Sequence, residues 1–432
     1  MDSKVIGGER LEGILSAPPS KSYTHRAFII STLAEGKSEI LQPLISRDTL
    51  ATIRACEALG AIIESRNEGV WYVSGSSSPK TPDDVINVDN SGTTIRIITA
   101  VSALAPGYTV LTGDSSVRQR PMGPLINSLG DLGVKCFSTR GDEKPPIVVE
   151  GGGIKGGETS IPGHVSSQFI SALLIACPLA RSETRVSFTS ELRSRPYLEM
   201  TIEFLNYFKG KIEYLSSLGL IIPPEQTFLP ASVMIPGDFS SASFMLAAAA
   251  ITDSDVKIYN LDVNTAQGDK KIIDVLLEMG AEIEVGENYV RVIGGRNLKG
   301  VSFDCGDTPD LFPVIAVLGA VAEGKTDIFN AQHVRYKESD RISAMAKELS
   351  KMGVHVEEKR DGITIYGGKV KGTHFDSYDD HRVFMALTVA ALAAEGESVI
   401  SGVESFDVSY PSFIEDMISI GADFRLVDKN DG

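Results

Sequence analysis

Seven basic side chains stand beside turns: Lys21, Arg26, Arg96, Arg120, Lys337, Arg341 and Arg382. Arginine forks clamp carboxylates and phosphates bidentately, and lysine supplies a point charge or a proton. One such residue alone reads as a solvated surface cation. As a set, in a chain of net charge −16, they imply positive charge converging on an anion. Two carboxylates lie among them: Asp310 opens a helix, and Glu338 is flanked by Lys337 and Arg341. Neighbouring cations lower a carboxyl pKa, which suits Asp310 to take a proton; Glu338 donates one only where burial opposes that shift. The alternative readings are a helix cap for Asp310 and an i,i+3 ion pair between Glu338 and Arg341.

These residues need elements that bring helix starts together. The run Pro18-Pro19-Ser20-Lys21-Ser22-Tyr23-Thr24-His25-Arg26 carries helix-start residues and leads into an apolar stretch, Ala27 to Leu33. Free backbone N–H groups and the positive end of the helix dipole then lie beside Lys21 and Arg26, which favours a bound anion. The motif belongs to a repeat. Leu33-Ala34-Glu35-Gly36-Lys37 returns as Val321-Ala322-Glu323-Gly324-Lys325 and as Ala393-Ala394-Glu395-Gly396-Glu397, with Gly107, Ser182 and Asp253 in the same slot elsewhere. The copies are about 71 to 75 residues apart, so the chain consists of six near-equal units.

Each unit opens with a polar turn, such as Asn90-Ser91-Gly92 or Asp379-Asp380. A helix apolar almost all round follows, as in Phe244 to Ile251, and that pattern belongs inside a core. A second, amphipathic helix comes next, read from Leu50, Ile53, Cys56 and Leu59 or from Ile342, Met345, Leu349 and Met352, and it ends at a glycine such as Gly60, Gly280 or Gly353. Strand signals such as Val70-Trp71-Tyr72-Val73 close the unit. Six such units exceed one core and divide as three plus three. The expected architecture is α/β, with two similar lobes joined by a two-stranded hinge near Ser16-Ala17-Pro18 and Met234-Ile235-Pro236-Gly237. Residues 17–235 form one lobe, and residues 1–16 with 236–432 form a discontinuous other. Like charge on the helix starts is expected to hold the lobes open until an anion neutralises it.

Composition excludes several classes. A chain with 42% hydrophobic and 23% charged residues is of ordinary globular type, and its acidity argues against nucleic-acid or anionic-membrane partners. The most apolar run is far shorter than the roughly 20 residues of a membrane span. Cys56, Cys136, Cys177 and Cys305 show no metal-type or disulfide spacing and read as reduced core residues in a cytoplasmic protein. The tail Asp428-Lys429-Asn430-Asp431-Gly432 reads as disordered.

The runs SKSYTHR (20–26), DNSGTTIR (89–96), LTGDSSVRQRP (111–121), SSQF (166–169), SRPY (194–197), YKESDR (336–341) and DDHR (379–382) resemble, in order and over essentially the whole chain, the motifs of the 5-enolpyruvylshikimate-3-phosphate synthase family of enolpyruvyl transferases. That resemblance implies lobes of three βαβαββ units each, helices at the core. It implies transfer of the enolpyruvyl group of phosphoenolpyruvate to the 5-hydroxyl of shikimate 3-phosphate, with release of phosphate and with neither metal nor organic cofactor. Lys21, Ser22, Arg26, Ser166, Ser167, Gln168 and Ser194 match residues that hold shikimate 3-phosphate, joined by Asp310 and Lys337. Lys21, Gly92, Arg120, Gln168, Arg341 and Arg382 match the phosphoenolpyruvate contacts. Asp310 matches the residue that takes the hydroxyl proton and Glu338 the one that protonates the vinyl carbon, with Lys21 also in the catalytic set and His381 nearby. A monomer is expected. Two positions depart from the family: His333 stands where many members carry Asn, and Val408 where many place a lysine.

Three other readings compete. The related transferase acting on UDP-N-acetylglucosamine carries a reactive cysteine on a first-lobe loop, whereas Gly113 to Arg120 has none and Cys136 is the nearest. An RNA-end-processing enzyme of similar units is disfavoured by the acidic charge. A catalytically dead pair of binding lobes is disfavoured by the presence of both Asp310 and Glu338.

Overall fold

The computed structural model describes residues 2–67, 69–216 and 219–427; the tail Asp428–Gly432 lies outside the described residues. The chain forms two compact units, Pro19–Ile235 and a discontinuous one made of Met1–Pro18 with Pro236–Gly432.

Among the described residues there are six four-stranded sheets, three in each unit, and all share one topology. In the second repeat, strand Ile86–Asn87 pairs parallel with Tyr108–Thr112, which pairs antiparallel with Ile147–Glu150, which pairs antiparallel with Lys135–Ser138. The parallel pair requires a crossover, and helix Gly92–Ser102 supplies it. Three sheets are completed by distant segments. Ser232–Met234 joins Gly36–Leu41 in the N-terminal unit. In the C-terminal unit, Leu11–Ser16 joins Ser254–Tyr259, and Asp2–Ile6 lies between Glu397–Ser401 and Asp423–Val427.

The crossover helices fill the centre of each unit. Lys21–Leu33, Gly92–Ser102 and Ser167–Ala176 do so in the N-terminal unit, and Phe239–Ile251, Phe312–Val321 and His381–Leu392 in the other. His381–Leu392 is buried at every position, and Phe239–Ile251 at all but its last. Such helices have no solvent face to polarise, which is why their sequences are apolar all round. Each large apolar side chain so buried stabilises the core by roughly 1.5–3 kcal/mol relative to exposure. The sheets lie outside and the helices inside, an inside-out α/β arrangement.

The second helices are amphipathic with one correction. In Arg47–Ala58, Ile53, Cys56 and Leu59 are buried, but Leu50 is 37% exposed. A strict three-residue step advances only 300° around a helix and drifts off the buried face; Thr49 and Thr52 face inward instead. Gly60, Gly280 and Gly353 take φ of 98°, 95° and 90°, the left-handed exit for which a glycine was expected.

The chain passes between units at Pro18/Pro19 and Ile235/Pro236. Within the C-terminal unit the two passing segments are tied, since Asp238 N–H donates to the Pro18 carbonyl at 2.8 Å. Gln267 accepts from Phe239 N–H at 3.0 Å and donates to the Gly237 carbonyl at 2.7 Å. A Cβ on Gly237 would lie 1.7 Å from the Asn260 carbonyl oxygen, so only glycine fits.

Candidate active site

In the N-terminal unit, three helix starts carry the candidate residues. Ser20 caps Lys21–Leu33, and its hydroxyl is buried without a protein hydrogen-bond partner. Lys21 Nζ pairs with Asp48 Oδ2 at 3.0 Å, both largely buried. Arg26 lies inside the unit. It donates to Thr201 Oγ1 (2.8 Å), the Ser22 carbonyl (2.9 Å), Ser171 Oγ (3.2 Å) and the Tyr197 carbonyl (3.0 Å). Burial pushes its pKa down to about 10, against the opposing influence of Tyr23 and Tyr197. Four of its five donors are spent internally, so the guanidinium braces Ser22 and Tyr197 and has little left to offer a ligand.

His25 sits beside these cations and accepts or donates to Thr52 Oγ1 at 2.6 Å; Thr52 contacts Thr94 (2.6 Å), and Thr94 contacts Ser91 (2.6 Å). Burial, then Lys21 and Arg26, hold the imidazole well below its ordinary pKa, so it is neutral. This chain of hydroxyls links the first helix start to the second, where Ser91 caps Gly92–Ser102. Gly92 leaves room for a neighbouring side chain, because a Cβ there would lie 2.0 Å from Arg120 Nη1. The Arg120 guanidinium therefore lies over the helix N-terminus, and Ser116 accepts from it at 3.3 Å. At the third helix start Ser166 caps Ser167–Ala176. Gln168 accepts from Arg96 and donates to Thr93 Oγ1 at 2.7 Å, while Arg96 lies 5.2 Å over the Phe169 ring. Ser194 is held in the left-handed region (φ 55°) at the start of Arg195–Tyr207, a strained conformation for a non-glycine residue.

In the C-terminal unit one arginine gathers the carboxylates. Arg341, 1% exposed, donates to Asp380 Oδ2 (2.9 Å) and Oδ1 (3.2 Å), to Asp310 Oδ1 (2.9 Å) and to Glu338 Oε2 (2.8 Å). Burial works against its charge, and Asp380, Glu338 and Asp310 outweigh that and raise its pKa. Arg382 pairs with Asp310 Oδ2 at 3.0 Å, and Lys337 Nζ lies 3.8 Å from Asp310 Oδ1. Asp310 thus faces Lys337, Arg341 and Arg382, and Glu338 pairs with Arg341. The site's position follows from local sequence: Asp310 falls in the turn Pro309–Leu311 before Phe312–Val321, Arg341 begins Arg341–Lys351, and Asp380 caps His381–Leu392 by accepting from Arg382 N–H at 2.9 Å.

Two expectations need correction. The cations of the C-terminal unit are not an unopposed positive cluster: Lys337, Arg341 and Arg382 are matched by Asp310, Glu338 and Asp380. Sequence shows residue types, not their pairing, and Asp380 was the carboxylate left out. The other concerns the ion pair of Glu338 with Arg341, which is formed, but as one arm of a shared buried fork rather than a surface helix pair.

Sequence reasoning also missed Asp48 and Asp269. Each follows a helix-start polar residue by two positions, Ser46 and Gln267, so the repeat itself carried the signal. Asp269 is buried, accepts from Ser240 Oγ on one oxygen and has no hydrogen-bond partner on the other. Burial, then the neighbouring Asp310 charge, push its pKa up to about 7, with Arg382 opposing. His333 lies in the turn Gln332–Tyr336, and Val408 is buried at the end of Val403–Val408. His381 opens its helix from a buried position. Cys136 lies on Lys135–Ser138, and burial pushes its thiol up to about 12, which keeps it protonated and unreactive at neutral pH. Among the described residues, no group of His, Cys, Asp and Glu side chains is arranged to hold a metal ion.

Comparison with known proteins gives one answer. The chain is 51% identical over 425 residues, 98% of each chain, to the 3-phosphoshikimate 1-carboxyvinyltransferase of Methanococcoides burtonii. It is 50% identical over 427 residues to the Methanosarcina mazei protein of the same name, again over 98% of each chain. EPSP synthase from Acinetobacter baumannii superposes with a TM-score of 0.83 at 28% identity, covering 99% of this chain and 100% of that one. The enolpyruvyl transferase NikO from Streptomyces tendae shares the fold at 17% identity, with a TM-score of 0.77 over 98% of both chains. The family profile described as EPSP synthase (3-phosphoshikimate 1-carboxyvinyltransferase) matches residues 5–417, and the chain belongs to that family.

Proposed function

We infer that the two half-sites divide the family's reaction between binding and proton transfer. The chain is a 3-phosphoshikimate 1-carboxyvinyltransferase: it moves the enolpyruvyl group of phosphoenolpyruvate onto the 5-hydroxyl of shikimate 3-phosphate and releases phosphate. In the addition step, Asp310 takes the hydroxyl proton, the oxygen bonds to C2 of phosphoenolpyruvate, and Glu338 delivers a proton to C3. In elimination the ionised Glu338 takes a proton back from C3, the C2–C3 double bond re-forms as the C2–O bond to phosphate breaks, and the proton held by Asp310 leaves with the phosphate. Lys21, Ser22, Ser166, Ser167, Gln168 and Ser194 hold shikimate 3-phosphate, with Lys337 and Asp310 at its 5-hydroxyl. Arg26 contributes chiefly by fixing Ser22 and the Tyr197 carbonyl. Lys21, Gly92, Arg120, Gln168, Arg341 and Arg382 cage phosphoenolpyruvate and the charge that develops on its phosphate and carboxylate.

The observation that carries the acid–base assignment is the shared Arg341 fork. It holds Asp310 and Glu338 on one rigid guanidinium, two carboxylates positioned against a common buried charge. The thiol chemistry of the UDP-sugar transferase is disfavoured by the protonated Cys136, which is half-buried on its strand rather than a core residue as expected, unlike Cys56, Cys177 and Cys305. Because both units contribute to one intermediate, the reaction requires them to close about the two chain crossings. The reading includes a cytoplasmic monomer that binds no nucleic acid, and the net charge of −16 supports the last of these; among the described residues no helix is long and apolar enough to cross a membrane.

The test is phosphate release on supplying shikimate 3-phosphate with phosphoenolpyruvate. Release that needs both substrates and continues in a chelator is expected; no release from the pair, or release only on adding a divalent cation, would overturn the reading. Small-angle scattering tests closure: saturating shikimate 3-phosphate should lower the radius of gyration, and an unchanged radius would reject it.

A further inference from the structure

The turn that delivers Asp380 and Arg382 to the site is strained, and part of its restraint comes from outside the site. Tyr378 and Asp379 take φ of 54° and 53°, two consecutive non-glycine residues in the left-handed region. L side chains enter that region at a cost and as single residues, so a consecutive pair persists only where surrounding structure over-determines it. Asp380 follows at once and caps His381–Leu392, whose second residue is Arg382. Any relaxation of the turn would therefore displace both groups.

One helix holds the turn at both ends. Glu348, on Arg341–Lys351, is 0% exposed. Its Oε2 accepts from Asp376 N–H at 3.0 Å and from Lys351 Nζ at 2.6 Å, and its Oε1 accepts from the Tyr378 hydroxyl at 2.8 Å. Seven residues earlier on the same helix, Arg341 grips both oxygens of Asp380. Seven residues are close to two helical turns, so Glu348 and Arg341 share a face about 10 Å apart along the axis. Glu348 ties the entrance of the turn and Arg341 its exit. The turn also packs closely from the other side, since a Cβ on Gly402 would lie 2.3 Å from Ser377 Oγ.

We propose that Glu348 is a positioning residue: its buried carboxylate clamps the strained Asp376–Tyr378 turn so that Asp380 and Arg382 meet Arg341 and Asp310 in the register that phosphoenolpyruvate binding requires. The proposal rests on the assignment of Arg341 and Arg382 to phosphoenolpyruvate. Glu348 touches no reacting atom. It acts through two backbone torsions, and glycine at Asp379, whose side chain is exposed, would relieve one of them.

The test is Glu348→Gln, Tyr378→Phe, Asp379→Gly and the double variant Glu348→Gln/Asp379→Gly, assayed for kcat and for KM of each substrate. The amide of Glu348→Gln cannot serve all three donors. Its KM for phosphoenolpyruvate is expected to rise about tenfold, with KM for shikimate 3-phosphate unchanged within twofold. Tyr378→Phe should raise the same KM about threefold. Asp379→Gly should recover most of the loss in the double variant, because the turn then needs less restraint. A loss of buried charge that merely weakened the fold would lower the melting temperature and raise both KM values together, and glycine at an exposed position would not recover the specificity of the defect. An unchanged KM for phosphoenolpyruvate in Glu348→Gln, a parallel rise in both KM values, or failure of Asp379→Gly to rescue would each overturn the proposal. A crystal structure of Glu348→Gln separates this idea from the functional assignment. Arg382 displaced from Asp310, in a protein whose wild type lacks the activity, leaves the clamp standing and removes the assignment; Arg382 still within 3.5 Å of Asp310 removes the clamp.

Discussion

Lys21 and Phe239 occupy corresponding places, each the first residue of the first core helix of its unit, and the difference between them sets the electrostatics of the two half-sites. In the N-terminal unit Asp48 finds Lys21 and forms an ion pair. In the C-terminal unit Asp269, at the matching place, finds only the Ser240 hydroxyl and retains its proton up to about pH 7. The N-terminal helix starts present hydroxyls and cations, Lys21 among them paired with Asp48, whereas the C-terminal ones present three carboxylates interleaved with three cations. On the function proposed above, one repeated fold serves as an anion receptor in the N-terminal unit and as the proton-transfer machinery in the other.

The sharpest way to break this contrast is to neutralise the acid–base pair. Asp310→Asn and Glu338→Gln are each expected to lower kcat by 100-fold or more, the usual contribution of one acid–base group. Quench-flow turnover near the wild-type rate in both would end the assignment. Those variants keep their hydrogen-bonding shape against Arg341, so their melting temperatures should fall far less than that of Arg341→Met. The latter removes the cation shared by Asp310, Glu338 and Asp380, and breaking a buried pair costs about 3–5 kcal/mol.

A smaller effect belongs to the N-terminal unit. Gly92→Ala places a methyl group 2.0 Å from Arg120 Nη1, the far end of a flexible side chain, so the fold can yield by moving the guanidinium. A misplacement of this size can cost up to about 100-fold, and a rise of tenfold or more in the KM for phosphoenolpyruvate is expected with the melting temperature nearly unchanged. A melting temperature that collapses, or a KM that does not move, would show that Arg120 does not lie over this helix start in solution.

The smallest effects are in stability against pH, and they have opposite signs in the two units. His25 has a depressed folded pKa, so the unfolded chain binds more protons below about pH 6.5 and this residue's contribution is lost on acidification. Asp269 has a raised folded pKa of about 7, so the native state retains a proton that the unfolded state sheds above about pH 4. Its contribution is present at low pH and declines as pH rises from about 4 to 7, by on the order of a few kcal/mol. Melting temperatures across pH 4–8 should show that decline removed in Asp269→Asn and the acid-side loss reduced in His25→Gln. Identical profiles for both variants and wild type would refute the two burial arguments.

The six repeats, the buried helices and the site's basic residues were legible because each leaves a one-dimensional trace: a spacing, an apolar run, a charge beside a turn. Leu50 was misplaced because a three-residue step is only an approximation to the helical period. Asp380, Asp48 and Asp269 escaped because a carboxylate's role depends on which cation the fold sets against it. Arg26 was assigned to ligand contact from its motif, yet its donors are mostly engaged by Thr201, Ser171 and two carbonyls. A sequence does not display the burial of one arginine among seven. Glu348 looks like any surface acid of an amphipathic helix until the left-handed turn above it is seen.

The division between receptor and proton-transfer machine is tested most directly by titrating shikimate 3-phosphate calorimetrically into Lys21→Met and Glu338→Gln. Lys21→Met should bind at least tenfold more weakly than wild type, while Glu338→Gln, inactive in turnover, should bind within threefold of it. Equal affinities for all three proteins, or a binding loss confined to Glu338→Gln, would contradict the assignment of binding to the N-terminal helix starts and proton transfer to the carboxylates of the C-terminal unit.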